Sequence, residues 1–255
     1  MSNFSQNDSK FINKDTLHFY INSNEPFLTT PVKGVVLEFP GLGGSSCLGG
    51  CIDMGVYDTD FSRDFGKNGI LLAYLFPGPW SWANKGAVRM ANAVVSAIKD
   101  KYDLPDDAPL AVCGGSMGGL GALIYSLKSA HNITCVAAAC PGVNVMTSYN
   151  CKELVPRSYF SAAAVYDMPI EDALKDFSPW EHVEEMKNIP YFICSDVDDE
   201  LFPVAECDEY VEMLRKRGLS VEYYRQEHCG HGAFTPEVRQ GLHKFITGKI
   251  LAGRT

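Results

Sequence analysis

The sequence predicts an α/β protein built on a mostly parallel sheet, and three observations carry that prediction. Short apolar runs alternate with stretches of helical periodicity from Val35 to the C-terminus, which is the order that strand-helix-strand units leave in a chain. Several of those runs, such as Leu110 to Cys113, are short and wholly apolar, as in strands covered on both faces. With 255 residues, 46% of them apolar, the chain can bury a large core in one unit. The expectation is a single domain over 1–255, with eight strands, helices on both faces and a small inserted lid.

The first fifteen residues, Met1 to Asp15, are polar and lack the apolar stretch of a signal peptide. Strands are expected at Thr16 to Ile21 and Phe27 to Thr30, forming an antiparallel edge. Parallel strands follow at Gly34 to Phe39, Ile70 to Phe76, Leu110 to Cys113, Ile133 to Ala139, Tyr191 to Cys194 and Val221 to Glu227. The clearest helix runs from Gly86 to Tyr102, where Met90, Val94, Ile98 and Tyr102 recur every fourth position. Others are expected at Met117 to Ser129, Pro203 to Arg217 and Pro236 to Ile250. The segment 143–177 is mixed in pattern, rich in Tyr, Phe and Met, and interrupts the alternation. An insertion at that point of a doubly wound sheet projects over the carboxyl ends of the strands, where ligands bind, so it reads as a lid or pocket wall. Glu38 stands inside an apolar central strand with no partner evident in the sequence.

Composition excludes several functions. A net charge of −9 and the lack of any Lys/Arg cluster argue against nucleic-acid partners and anionic membranes, and no apolar run is long enough to span a bilayer. Nine cysteines, an odd number set mostly in apolar runs, match reduced thiols used as small hydrophobes and point to the cytoplasm. Cys47 and Cys51 have no matching pair at zinc spacing, so no metal is expected. The glycine-rich turn Pro40 to Gly44 is not followed by Gly-Lys-Ser/Thr, and the Gly-x-Gly-x-x-Gly spacing is missing. Phosphate-loop and dinucleotide readings therefore fall, and no cofactor is expected.

The chemistry is announced at Gly114, Gly115, Ser116, Met117 and Gly118, a Gly-x-Ser-x-Gly pentapeptide between an apolar strand and a helical pattern. A sharp strand-to-helix turn lifts a serine hydroxyl clear of its neighbours, and flanking glycines permit the close approach it needs. A serine nucleophile needs a base and an acid that orients the base. His231, between Gly230 and Gly232, is preferred over His228 as base. The acid lies among Asp196, Asp198, Asp199 and Glu200, with Asp199 first and Asp196 second; the order Ser, acid, His suits this chemistry. An oxyanion needs two N–H donors. Met117 would supply one, and Leu42, or alternatively Gly41, the other. Trp80 and Trp82, with Tyr149, Tyr159 and Phe160 of the insertion, are expected to line an acyl or aryl pocket.

These motifs together resemble the α/β-hydrolase superfamily, and more narrowly its prolyl oligopeptidase and dienelactone hydrolase branch. The resemblance rests on Gly114 to Gly119, on the acid-bearing run Ile189 to Pro203, and on Cys229, Gly230, His231 and Gly232; it spans Val35 to the C-terminus. It implies a serine esterase that turns over a short acyl or aromatic ester through an acyl-enzyme, with a small-molecule ester as partner. A small peptidase is the alternative, and a non-catalytic binding module a more distant one. Dienelactone hydrolases proper use cysteine where Ser116 stands. About thirty residues precede the core, where family peptidases carry a large N-terminal domain, which favours the esterase.

Overall fold

The computed structural model describes residues 8–42, 56–149 and 154–252. Its sheet has seven strands, β1 (Ile21–Ser23), β2 (Gly34–Phe39), β3 (Ile70–Leu75), β4 (Leu110–Gly115), β5 (Cys135–Ala139), β6 (Tyr191–Asp196) and β7 (Val221–Gln226). They lie in the order β1-β3-β2-β4-β5-β6-β7. β1 runs antiparallel to β3, and every other neighbouring pair is parallel.

Alternation along each strand divides the core into two layers. Val35, Leu37 and Phe39 of β2 and Leu110 and Val112 of β4 face one layer. It is covered by α2 (Lys85–Lys101), α3 (Met117–Lys128) and α7 (Val204–Lys216), which contribute Val94, Leu123 and Tyr210 among others. Val36, Ala111, Cys113 and Phe192 face the other layer, beneath α1 (Asp60–Lys67) and α8 (Pro236–Ala252). None of these helices is long and apolar enough to cross a membrane.

Two expectations at the N-terminal edge are corrected, and among the described residues the sheet has seven strands where eight were expected. Half of 16–21 is a 3-10 turn (Leu17–Phe19), and the strand begins only at Ile21. Residues 27–30 form no strand, because a second 3-10 turn (Glu25–Phe27) with Pro26 in its first turn turns the chain away. β1 pairs instead with β3. The Asn24 side chain replaces further ladder bonds, donating to the carbonyls of Ser62 and Ile70 and accepting from the Leu72 N–H at 2.7 Å. The helix α1 has no counterpart among the sequence expectations. Its signal is the reciprocal cap between Thr59 and Ser62, written with serine in place of the usual Glu or Gln.

The connections position the site. From β2 the chain moves outward to β3 and then returns past β2 to β4, so the loops after β2 and β4 diverge. A crevice opens at that reversal, at the carboxyl ends of the strands. The insertion forms α4 (Val145–Ser148), α5 (Leu154–Ala163) and α6 (Ile170–Asp176). It is bound to the 80–84 loop by two hydrogen bonds, from Trp82 Nε1 to Ser158 Oγ at 2.9 Å and from Asn84 Nδ2 to the Ala162 carbonyl at 3.1 Å.

Candidate active site

Ser116 follows β4 directly, at φ 58° and ψ −123°. Side chains with a Cβ rarely adopt this region, and holding one there costs about 1–3 kcal/mol. The surrounding bonds enforce it. The Ser116 N–H donates to the Ala139 carbonyl of β5 at 2.8 Å, and the Leu120 N–H donates to the Ser116 carbonyl at 3.1 Å. Glycines make room for the turn. A Cβ on Gly114 would stand 2.5 Å from the Gly118 carbonyl, and one on Gly118 would overlap the Phe39 carbonyl.

His231 reaches this serine from the loop after β7, and Asp199 reaches the histidine from the loop after β6. His231 Nε2 lies 2.8 Å from Ser116 Oγ, and its Nδ1 lies 2.8 Å from Asp199 Oδ2. These partners set the tautomer: Nδ1–H donates to the carboxylate, and Nε2 accepts from the serine hydroxyl. The second Asp199 oxygen accepts from the Leu201 and Phe202 N–H groups at 2.8 and 2.9 Å. Asp199 is sealed from solvent while the imidazole is 20% exposed, an arrangement in which the carboxylate is fixed and the imidazole faces the cavity. The edge of Phe202 packs on the imidazole with centroids 5.3 Å apart.

The neighbouring acids have other partners. Asp198 pairs with His228 at 3.0 Å on the surface. Asp196 is wholly buried, accepting from the Asp198 N–H at 2.8 Å and the Cys229 N–H at 3.0 Å. Burial pushes its carboxyl up, but the backbone donors of Asp198, Gly230 and Cys229 outweigh that and hold it below the ordinary 3.8. Asp196 thereby latches the acid loop to the histidine loop, a role the sequence signals only by placing the residue at the end of a strand. A carboxyl lowered on folding adds stability that is complete above its unfolded value and fades as pH falls through its folded one. The Asp196→Asn variant is therefore expected to lose stability at pH 7 and to show a weaker decline than wild type below about pH 4. Urea midpoints measured from pH 2.5 to 7 would show this, and parallel curves for the two proteins would refute it.

Ser116 and His231 open on a cavity of about 500 Å³. Gly41 and Leu42, from the loop after β2, line it beside the serine. Met117 is buried as the first residue of α3, where its N–H has no partner within the helix. The five aromatics expected at the pocket divide. Trp82 lines the cavity, but Trp80, Tyr149, Tyr159 and Phe160 do not. Tyr159 is consumed by packing on Trp82 at 4.3 Å, with its hydroxyl bound to Ser148 Oγ, and Tyr149 stacks on it. Phe160, next along α5, points outward and is 62% exposed. The insertion instead offers Leu154 and Val155, while Phe202, Phe234, Tyr57 and Tyr74 complete the aromatic wall. These last four were not among the expected residues; Tyr74 comes from β3 and Tyr57 from the segment just before α1.

Glu38 also lines this cavity, and its partner is Tyr57, whose hydroxyl donates to Oε1 at 3.2 Å. Burial pushes the carboxyl up to about 7, against the lowering effect of that hydroxyl.

A doubly wound fold with a serine on a strained elbow and an imidazole against it is that of a serine hydrolase. The model of the prolyl oligopeptidase family matches residues 85–248, and the chain belongs to that family. No curated protein sequence matches it. Among solved structures it is similar to a puromycin hydrolase, with a TM-score of 0.67 at 19% identity, covering 86% of this chain and 35% of that one. It is also similar to the acylaminoacyl peptidase of Pyrococcus horikoshii, with a TM-score of 0.67 at 14% identity, covering 87% and 37%. Est1E from Butyrivibrio proteoclasticus superposes with a TM-score of 0.61 at 13% identity, covering 87% and 90%. The chain thus spans little more than a third of the length of the first two proteins.

Proposed function

We propose that the chain is a carboxylic ester hydrolase acting on short acyl or aromatic esters, with Ser116 as nucleophile, His231 as general base and acid, and Asp199 as its orienting partner. The observation that carries this reading is the continuous hydrogen-bonded line Asp199–His231–Ser116 ending in the cavity. Ser116 Oγ attacks the acyl carbon as its proton passes to His231 Nε2. The oxyanion is held by the Met117 N–H and by Leu42, with Gly41 as the alternative donor. His231 then returns the proton to the departing alkoxide, and water repeats the sequence on the acyl-enzyme, regenerating Ser116 and releasing the acid.

The aromatic wall and the volume of about 500 Å³ support a compact substrate, since cavities of this size enclose most of a small ligand. The insertion, through Leu154 and Val155, closes one side of the acyl pocket. The second reading is a small serine peptidase with the same residues in the same roles, favoured by the family match. Two measurements separate these readings. A fluorophosphonate probe is expected to label wild type at Ser116 and not the Ser116→Ala variant. Nitrophenyl esters of two to four carbons are expected to outrun both long acyl esters and matched aminoacyl anilides. Faster cleavage of the anilides would favour the peptidase, and a folded protein that resists the probe would favour a binding module.

A further inference from the structure

Glu38 is the group in the cavity that the hydrolytic sequence leaves unused. Strand register sets it between Tyr74 of β3 and Cys113 of β4, on the sheet face that carries α1 and α8. Tyr57 stacks on Tyr74 with centroids 4.9 Å apart and holds Oε1 through its hydroxyl. Among the described residues no second group donates to this carboxylate, and no Lys or Arg lines the reaction cavity. Glu38 also stands where that cavity meets a second one of about 370 Å³, whose shared wall is Glu38, Tyr57, Gly115 and Phe234. The second cavity continues along apolar side chains, including Phe61, Phe65 and Leu242, and reaches Arg239 of α8. Among the described residues no cation pairs with this acid, and its setting among aromatic rings, facing open volume next to a nucleophile, is an environment that binds an organic cation.

We propose that Glu38 is a specificity-determining anion that reads an ammonium group on the substrate, so that the preferred esters of this site are positively charged. This rests on the Ser116 acyl-enzyme reading above. The ammonium would sit at the junction of the two cavities, its charge against Glu38 and its alkyl groups against Tyr57, Tyr74 and Phe234. Burial pushes the Glu38 carboxyl up to about 7, so the anion forms over the neutral range and a bound cation favours it.

Matched substrates test the proposal and locate the charge. Butyrylcholine against 3,3-dimethylbutyl butyrate places a permanent cation, or its carbon isostere, in the alcohol. The 4-nitrophenyl esters of 4-(trimethylammonio)butanoate and 5,5-dimethylhexanoate place it in the acyl group. In one pair, kcat/KM of wild type at pH 8 is expected to favour the cation tenfold or more, and Glu38→Gln to reduce that ratio at least fivefold. The ratio is also expected to rise at least threefold from pH 6 to 8.5 as Glu38 ionises. The other groups facing it do not produce that rise. Burial pushes the Tyr57 hydroxyl and the Cys113 thiol up, keeping both neutral, Tyr74 and Arg239 line the cavities for either member of a pair, and His231 serves both equally. Ratios that are the same in wild type and variant for both pairs would overturn the proposal. Should Glu38→Gln fail to fold, inhibition of wild type by choline against 3,3-dimethylbutanol decides, and equal inhibition at every pH overturns it. If Ser116→Ala still hydrolyses the neutral esters, the underlying reading fails. If Ser116→Ala is inactive and the charge ratio is flat, only the role of Glu38 fails.

Discussion

Replacing Ser116 with alanine is expected to lower turnover of a short acyl ester by about a millionfold while leaving the fold intact. The loss follows from geometry: the Ser116 hydroxyl is the group bound to His231, and with it gone no other atom in the elbow can form the acyl-enzyme. The fold survives because that hydroxyl does no structural work. It does not cap α3, and alanine meets the same backbone strain at φ 58° that serine already tolerates. Kinetics of the purified variant beside its thermal unfolding curve make the test. Full activity in a folded variant would remove Ser116 from the chemistry, and loss of both properties would show that the elbow needs the hydroxyl to fold.

The second large effect belongs to Asp199. Its asparagine variant is expected to lose about ten-thousandfold in kcat near neutral pH, because an amide on the imidazole side cannot accept from Nδ1–H and the ring is forced into the wrong tautomer. The variant should fold, since the remaining carbonyl oxygen still accepts from the Leu201 and Phe202 N–H groups. Asp196→Asn is the informative companion. Asp196 touches backbone donors and not the imidazole, so its loss should fall on stability far more than on kcat. If the asparagine at 196 cost more activity than the one at 199, the assignment of the acid would reverse.

The parts of this molecule that were legible in its sequence are those specified by residues close together in the chain. The elbow is of that kind: strand, glycine, serine and helix are contiguous, and the periodicity of α2, α3 and α7 names their buried faces. Choosing an acid was harder, because four carboxylates share one loop and only the direction of each side chain separates them. Asp199 turns toward His231, Asp198 toward His228 and Asp196 toward the backbone. The N-terminal edge was misread because Asn24 imitates a ladder with its amide, a contact with partners more than thirty residues away. Separation along the chain also hid the partner of Glu38, which is Tyr57, 19 residues further on. Pocket aromatics were misjudged for a different reason. Composition places rings near a site, but whether a ring faces the cavity or the packing behind it is decided by helix phase, as Tyr159 and Phe160 show on successive positions of α5.

The loop after β6 is tied to the loop after β7 at Asp196 with Cys229, Asp198 with His228, and Asp199 with His231. Ser116 belongs to β4, two strands away. The imidazole and the carboxylate are therefore held together by two loops that are themselves tied, and the hydrogen bond from His231 to Ser116 is the contact that bridges this pair to the elbow.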